Sequence, residues 1–222
     1  MPNVSLCVTE NEIHYNPIVK ETKLVVYYDI QDISAPTTIF KNNDNSVKSI
    51  EIDGVLLDGV ATTYQFDSVG EHIIKYEFNN PTTVGNSAPL FNGLTTIKRA
   101  VIPNTFTTIG QNAFTNCGGL ASVTIPDSVT TIGNYAFTAC ISLTSVTIPD
   151  SVTSIGVRAF YYCENLSTIT SHIMNAPSVN NSTFQGVKNG GKLYVPTGSS
   201  GYETWMNDQG NLGSFGWTKV EQ

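Results

Sequence analysis

The chain has 222 residues, of which 40% are hydrophobic and 10% aromatic, so its composition allows a substantial buried core. Its 11 Lys and Arg against 18 Asp and Glu give a net charge of −7, which argues against nucleic acid or an anionic membrane as a partner. The sequence has no run of about 18 apolar residues, so we expect no membrane insertion.

The chain begins with residues 1–7, which lack the basic stretch and the following apolar stretch of a signal peptide. Two interpretations are open at this point. The protein is intracellular, or it is a surface or secreted protein whose leader was removed before this sequence begins.

Residues 1–82 predict a small antiparallel β domain with a sandwich-like arrangement. Runs of β-branched and aromatic residues bounded by Pro, Asn, Asp and Gly are typical of strands. Such runs occupy residues 22–30, 47–53, 55–58 and 72–78. The dipeptide Asp53-Gly54 is a strong signal for a two-residue hairpin turn. The segment 64–70 resembles the closing hairpin of bacterial immunoglobulin-like modules.

Residues 83–192 predict a solenoid of repeats about 23 residues long. Cys117, Cys140 and Cys163 are 23 residues apart, which is a repeat spacing and not a metal-ligand spacing. Residues 120–140 and 143–163 are two copies of one unit; an earlier copy lies at 97–117, and a decayed copy follows. Units of this length bury their apolar side by stacking on their neighbours, so the predicted fold class is mostly β.

Each repeat is expected to contain a strand, a turn and a return segment. In the copy at 120–140 the strand is predicted at 122–125, and Pro126 ends it because Pro cannot continue a ladder. We expect Gly133 and its copies Gly110 and Gly156 to supply a tight bend. The apolar residues expected to face inward on the return segment are Val129, Ile132, Ala136, Phe137 and Cys140. Equivalent side chains of successive copies should stack as ladders, namely Cys117, Cys140, Cys163 and Phe114, Phe137, Phe160.

The repeated run I-P-D-S-V-T-x-I-G-x-x-A-F-x-x-C resembles the BspA-like subfamily of leucine-rich repeats. The resemblance covers about residues 84–220, with about three full repeats. Residues 193–222 are similar to the strand-and-helix cap that ends many such arrays. In that cap we expect the end of the stack to be sealed by Tyr202, Trp205, Phe215 and Trp217. Such proteins are described as surface-exposed adhesins or as protein- or glycan-binding modules of gut and oral bacteria, without catalytic residues.

The motifs of common enzymes are missing from the sequence. It has no G-x-S-x-G nucleophile elbow and no phosphate-binding G-x-x-x-x-G-K. His14, His72 and His172 are far apart and have no metal-ligand spacing. We therefore predict a protein that is not an enzyme and that has no cofactor.

Two minor possibilities concern the repeated Asp-Ser pairs. Asp127 and Asp150 share one repeat position, with Asn104 one coil away, so their carboxylates could hold calcium. Alternatively each Asp fixes its own turn, which we favour because only two charges align, and we predict no metal site. The triplets at 67–69, 127–129 and 150–152 also resemble an O-glycosylation acceptor motif of some of the same bacteria.

Two sets of outward-facing residues are candidates for binding a partner. The strand face offers small hydroxyls for hydrogen bonding, at Ser122, Thr124, Ser145 and Thr147. The return side carries bulky groups that the core period does not need, at Tyr135, Arg158, Tyr161 and Tyr162. Aromatic residues beside Arg are typical of protein interfaces.

The sequence therefore predicts a non-catalytic binding or adhesion module, at a cell surface or secreted, with a protein or glycan as its partner. One alternative is a structural or assembly component of a surface or phage-like particle. Another is a carbohydrate-binding accessory module. A cytoplasmic location stays open.

Overall fold

The computed structural model describes residues 22–41, 47–79, 83–84, 90–207 and 209–222, and the backbone of residues 4–9 and 12–17. Regular structure in these residues consists of β-strands and the 3-10 helix Leu212–Phe215. The strands, numbered in chain order, are β1 Val4–Thr9, β2 Glu12–Pro17, β3 Leu24–Ile30, β4 Thr37–Thr38, β5 Val47–Ile52, β6 Val55–Leu56, β7 Thr63–Tyr64, β8 Gly70–Phe78, β9 Thr83–Val84, β10 Ile97–Val101, β11 Thr108–Ile109, β12 Ser122–Thr124, β13 Thr131–Ile132, β14 Ser145–Ile148, β15 Ser154–Ile155, β16 Thr168–Ser171, β17 Lys192–Val195 and β18 Thr218–Glu221. The mostly-β prediction is confirmed.

The N-terminal strands form an antiparallel sheet that continues directly into the solenoid. The strand order is β12-β10-β3-β8-β5-β6. β3 pairs antiparallel with β8 and with β10, whereas β10 pairs parallel with β12. β1–β2 and β4–β7 form separate antiparallel pairs. The sequence patterns predict the antiparallel strands but not their hydrogen bonding to the first repeat; the immunoglobulin-like arrangement and the boundary at residue 82 stay predictions.

Aromatic contacts join this sheet to the first coils. The ring centroids of Tyr76 and Phe91 are 5.3 Å apart, and those of Phe78 and Phe106 are 5.4 Å apart. Tyr28 and Tyr76 are fully buried, and the hydroxyls of both donate to the carbonyl oxygen of Ile39. The sheet therefore closes the N-terminal end of the stack and shields its apolar interior from water.

The coils of the solenoid are joined by two parallel ladders. The longer strands pair in the order β14-β16-β17-β18, and the two-residue strands in the order β15-β13-β11-β9. Within the second ladder, Thr108 pairs with Thr131 and Thr131 with Ser154, which is a register of one 23-residue repeat per coil. The solenoid prediction is confirmed.

A column of phenylalanine rings runs through the core of the stack. Its members are Phe91, Phe114, Phe137, Phe160 and Phe184. Successive ring centroids are 5.3 to 5.6 Å apart, and the angle between neighbouring rings does not exceed 12°. The column extends beyond the three full repeats of the sequence pattern, because Phe91 and Phe184 lie outside them.

The repeated glycines serve close packing between coils. A Cβ on Gly133 would lie 2.8 Å from the carbonyl carbon of Gly110 and 2.9 Å from the backbone nitrogen of Gln111. A Cβ on Gly156 would lie 2.5 Å from the backbone nitrogen of Asn134. Neither glycine has a positive φ, so the prediction that they supply a tight bend is wrong. Glycine is needed because the backbone of the preceding coil occupies the position that a Cβ would take.

Buried aromatic residues close the C-terminal end of the stack. Trp205 is fully buried, and its ring centroid lies 5.3 Å from that of Phe184, so it ends the phenylalanine column. Its indole nitrogen donates to the carbonyl oxygen of Pro177, and that of Trp217 donates to the carbonyl oxygen of Lys188. Tyr202 is also buried, whereas Phe215 in the 3-10 helix is half-buried. Among the described residues, no helix has the length and apolar character needed to cross a membrane.

Candidate binding surface

The turn that follows each two-residue strand holds residues in the left-handed backbone region. These turns cover residues 111–116, 134–139 and 157–162. One left-handed position in each turn is occupied by Asn112, Tyr135 and Arg158, with φ of 57°, 57° and 56°. The second is occupied by Asn116, Ala139 and Tyr162, with φ of 58°, 56° and 55°.

In the left-handed region a Cβ costs about 1–2 kcal/mol. Gly suits such positions because it has no Cβ, and Asn suits them because its short polar side chain can hydrogen-bond to the local backbone. At the coil position that Tyr162 occupies, Gly93, Asn116 and Gly186 follow this rule, whereas Ala139 does not. Tyr135, Arg158 and Tyr162 are bulky residues that depart from it. Backbone strain of this kind tends to occur at functional sites.

The structure brings together the four bulky residues predicted on this side; we call Tyr135, Arg158, Tyr161 and Tyr162 the turn cluster. The guanidinium carbon of Arg158 lies 4.9 Å from the ring centroid of Tyr161 and 5.8 Å from that of Tyr135. The rings of Tyr161 and Tyr162 meet edge to face, with centroids 4.4 Å apart. Cation–π and edge-to-face contacts hold these side chains in one arrangement.

The turn cluster is accessible to solvent. Arg158 is exposed, Tyr162 is 44% exposed, and Tyr135 and Tyr161 are half-buried. Partial burial and the hydrogen bond with Tyr162 raise the pKa of Tyr161, while Arg158 opposes this effect. A phenol is protonated at neutral pH even at the ordinary tyrosine pKa of about 10, so the Tyr161 hydroxyl can donate a hydrogen bond.

Comparison of the turn at 157–162 with the turn two coils earlier shows that Arg158, Tyr161 and Tyr162 are additions to the repeat. The turn at 111–116 has Asn112, Thr115 and Asn116 at the places that Arg158, Tyr161 and Tyr162 take in the turn at 157–162. The smaller residues support the same backbone conformation. For example, the hydroxyl of Thr115 donates a hydrogen bond to the carbonyl oxygen of Tyr135 in the next coil at 2.6 Å. The fold thus accommodates Asn and Thr where the turn cluster has Arg and Tyr.

The predicted strand-face residues lie in a different part of each coil. Ser122, Thr124, Ser145 and Thr147 are exposed on β12 and β14. Ser145 is in register with Thr168, which in turn is in register with Lys192. This row of polar side chains, which includes Lys192, is separate from the turn cluster.

The cysteine ladder is buried and unreactive. The thiols of Cys117, Cys140 and Cys163 donate to the carbonyl oxygens of Phe91, Phe114 and Phe137, one coil earlier. Burial raises the pKa of Cys117 and of Cys163 to about 12, so neither forms a thiolate at neutral pH. No disulfide joins these three residues.

The repeated Asp-Ser pairs have structural roles different from those expected. Asp127 and Asp150 are exposed, and neither carboxylate hydrogen-bonds to another residue that the structure describes. The turn is fixed instead by the backbone, where the Val129 amide donates to the carbonyl oxygen of Pro126. Ser128 and Ser151 donate to carbonyl oxygens of the preceding coil, whereas Ser68 is exposed. Within the described chain, no three His, Cys, Asp or Glu side chains are placed to hold a metal ion.

The histidines are separated in the fold as they are in the sequence. His72 is buried between two acceptors, with Nδ1 at 2.6 Å from Asp53 Oδ2 and Nε2 at 3.0 Å from the carbonyl oxygen of Ser68. His172 lies beside a surface depression of about 380 Å³ that also contacts Asp150, Met174 and Asn175. The side chain of His14 is outside the described residues.

Sequence reasoning missed the left-handed backbone at Tyr135, Arg158 and Tyr162. The available signal was the asparagine at 112 and 116 and the glycine at 93 and 186, since these are the residue types that favour positive φ. Alignment of the repeats by their 23-residue period would have shown Tyr and Arg replacing them.

A family model for the BspA type leucine rich repeat region matches residues 62–200 in six copies. The chain belongs to this family. Its members are typically non-catalytic and are typically surface or secreted proteins. The match begins at residue 62, so it includes β8 of the N-terminal sheet as well as the predicted solenoid. A binding or scaffold module is the class of protein that this family membership indicates.

Two solved structures are similar to the chain. The leucine-rich-repeat protein TpLRR of T. pallidum has a TM-score of 0.42 and 23% identity, and the match covers 63% of each chain. A leucine-rich-repeat protein from Bacteroides ovatus ATCC 8483 has a TM-score of 0.36 and 24% identity, over 73% of this chain and 46% of that one. The chain therefore spans less than two thirds of the length of either protein. No curated protein matches it.

Proposed function

We propose that the protein is a non-catalytic adhesion module, at a cell surface or secreted, that recognises a protein partner through its repeats. The observation that carries this proposal is the turn cluster: Arg158, Tyr161 and Tyr162 stand where Asn and Thr satisfy the same turn in another coil. Tyr and Arg are the residue types that contribute most to binding energy at protein interfaces.

The arrangement of the rings favours a protein over a glycan. A sugar stacks on an open aromatic face, but the guanidinium of Arg158 lies over Tyr161. The Tyr162 ring is packed against the next coil, because a Cβ on Gly186 would come within 3.1 Å of it. What the turn cluster offers outward is therefore ring edges, phenol hydroxyls and guanidinium N–H groups, which suit the polar and apolar surface of a protein.

Exchange of one turn for another tests this proposal. The coil-exchange variant carries Arg158→Asn, Tyr161→Thr and Tyr162→Asn, which introduces the residue types of Asn112, Thr115 and Asn116. The matched control carries Ser145→Ala and Thr147→Ala on the strand face. Wild type and both variants are immobilised and exposed to extracellular-matrix extract, to an envelope extract of the source organism and to a glycan array.

We expect a protein that is retained by the wild type and the control variant but not by the coil-exchange variant. Equal retention by all three proteins, or retention of a glycan alone, would contradict the proposal. Retention of a partner only from the organism's own envelope would support the assembly component instead of the adhesion module.

A further inference from the structure

Arg158 is an isolated cation in a region with few charges. It is the single Lys or Arg between Val101 and Lys188 in the sequence. Among the described residues its guanidinium makes ring contacts but no ion pair. Glu164, two residues beyond Tyr162, is exposed and forms no ion pair with Arg158. By contrast, the Lys and Arg of β8 and β10 form ion pairs: Lys75 with Glu51, Lys98 with Asp29 and Arg99 with Glu71.

The contacts of Arg158 leave its hydrogen-bonding capacity unused. A guanidinium has five N–H donors in a planar fork, a geometry that matches both oxygens of a carboxylate. The rings of Tyr135 and Tyr161 attract its charge but accept none of these hydrogen bonds in the plane of the fork. They restrict the side chain to one region, which lowers the entropy that binding a ligand would cost.

The neighbouring phenols add donors of the same kind. Tyr161 and Tyr162 each carry a phenol hydroxyl, and their rings meet edge to face. The left-handed backbone at Arg158 and Tyr162 fixes the direction in which both side chains leave the turn. A fixed guanidinium with adjacent hydroxyl donors is a site for an anion that has several acceptor oxygens.

We infer that the turn cluster binds a carboxylate side chain, Asp or Glu, presented by the protein partner, with Arg158 as the bidentate donor. This inference rests on the proposed function, because it names the chemistry of the partner at the same site. The other charged residues between Val101 and Lys188 are Asp127, Asp150 and Glu164, so Arg158 is the one group in this stretch that attracts a carboxylate, on a chain whose net charge is −7.

Peptide titration followed by NMR tests the inference without the partner. The probes are acetyl-Gly-Glu-Gly-Glu-Gly-amide and the same peptide with Gln in place of Glu. The signals are the Nε–H of Arg158 and the backbone amides of Arg158 and Tyr162 in the full-length labelled protein. The variants are Arg158→Gln and, as a control for loss of one positive charge elsewhere, Lys188→Gln, which is exposed.

We expect the Glu peptide to shift these signals to saturation and the Gln peptide to bind at least about tenfold more weakly, since charge-assisted hydrogen bonds are lost. Arg158→Gln should weaken binding of the Glu peptide by a similar factor, and Lys188→Gln should leave this binding unchanged. Equal responses to the two peptides, or equal weakening by both variants, would overturn the inference.

The two experiments fail independently. If the coil-exchange variant loses a protein partner but the Glu and Gln peptides behave alike, the proposed function stands and the carboxylate chemistry is wrong. If the peptides discriminate but no protein depends on the turn cluster, the site binds carboxylates and the proposed adhesion function is wrong.

Discussion

The N-terminal sheet and the solenoid are held together by different kinds of contact. In the sheet, charged side chains pair across strands, as Lys23 does with Glu51 at 2.9 Å and Lys48 with Glu77 at 2.6 Å. In the described residues between 101 and 207 no two side chains form an ion pair. There the coils are joined by columns of the same residue, such as Phe114 on Phe137 at 5.5 Å.

This difference shows how to interpret an outward side chain in each region. A charged residue on the sheet has a partner on the next strand, so its presence is explained by folding. A charged residue on the coils between 101 and 207 has no ion pair among the described residues that would explain its presence. The inward columns and the backbone ladders already join the coils, so an outward bulky residue is not needed for that purpose either. The turn cluster is therefore where the solenoid departs from what its own stability requires.

The largest expected effect comes from breaking the aromatic column. Phe137→Ala removes a fully buried ring that stacks on Phe114 and Phe160, and we expect a loss of about 3–5 kcal/mol in the free energy of unfolding. Tyr162→Ala, which removes an exposed ring, should change it by less than about 1 kcal/mol. Urea denaturation measures both, and similar losses would contradict the distinction between column and surface.

The requirement for close approach between coils gives the next effect. Gly133→Ala places a Cβ 2.8 Å from the backbone of Gly110, so we expect a loss of about 1–3 kcal/mol. In the control Gly118→Ala the nearest atom is a side-chain carbon of Ile141 at 3.6 Å, and the change should stay within about 0.5 kcal/mol. If both glycines tolerate alanine equally, the spatial explanation for Gly133 is wrong.

Sensitivity to pH should arise in the sheet rather than in the solenoid. Burial lowers the pKa of His72, but its hydrogen bonds to Asp53 and to the Ser68 carbonyl outweigh this, and the pKa is raised. Because the pKa of His72 is higher in the folded than in the unfolded protein, protonation of His72 stabilises the fold. This stabilisation is complete below about pH 6.5, the pKa in the unfolded protein, and is lost as the pH rises through the pKa in the folded protein.

We therefore expect the difference in Tm between wild type and His72→Gln to be larger at pH 6 than at pH 8.5. Asp53→Asn removes the strongest favourable contact of the imidazolium and should reduce this pH dependence. A difference in Tm that grows with increasing pH would show that His72 is buried in its neutral form.

The smallest expected effect is a gain in stability. Ala139 has a φ of 56°, so Ala139→Gly relieves the left-handed strain and should raise the free energy of unfolding by about 0.5–1 kcal/mol after the greater entropy of the unfolded glycine is subtracted. Ala136→Gly, at a fully buried position without positive φ, should lower it by about 1 kcal/mol. Destabilisation by Ala139→Gly would mean that the turn is not strained there.

The sequence predicted what depends on the repeat period. The spacing of Cys117, Cys140 and Cys163 locates the coils, and the inward residues from Val129 to Cys140 are all fully buried. Contacts between one coil and the backbone of the next are less visible in a sequence, so the pattern at Gly133 predicts a bend where the structure has a close approach between coils. The antiparallel pairing of β3 with β10 joins residues about 70 positions apart, and no local pattern specifies it.

The candidate site was predictable as a set of residues but not as an arrangement. Tyr135, Arg158, Tyr161 and Tyr162 stand out because the core period does not use them. Their contacts depend on the left-handed turns, which place residues of successive coils side by side. They also depend on Arg158 forming no ion pair with the described residues. Neither property can be derived from residue type alone.

The role of the turn cluster is tested most directly by measuring the stability of the coil-exchange variant together with its binding. We expect a free energy of unfolding within about 0.5 kcal/mol of wild type, or higher, because relief of strain at 158 and 162 offsets the lost ring contacts. We expect partner retention to be lost at the same time. A fall of more than about 1 kcal/mol with retention intact would contradict this expectation, since the turn cluster would then serve the fold.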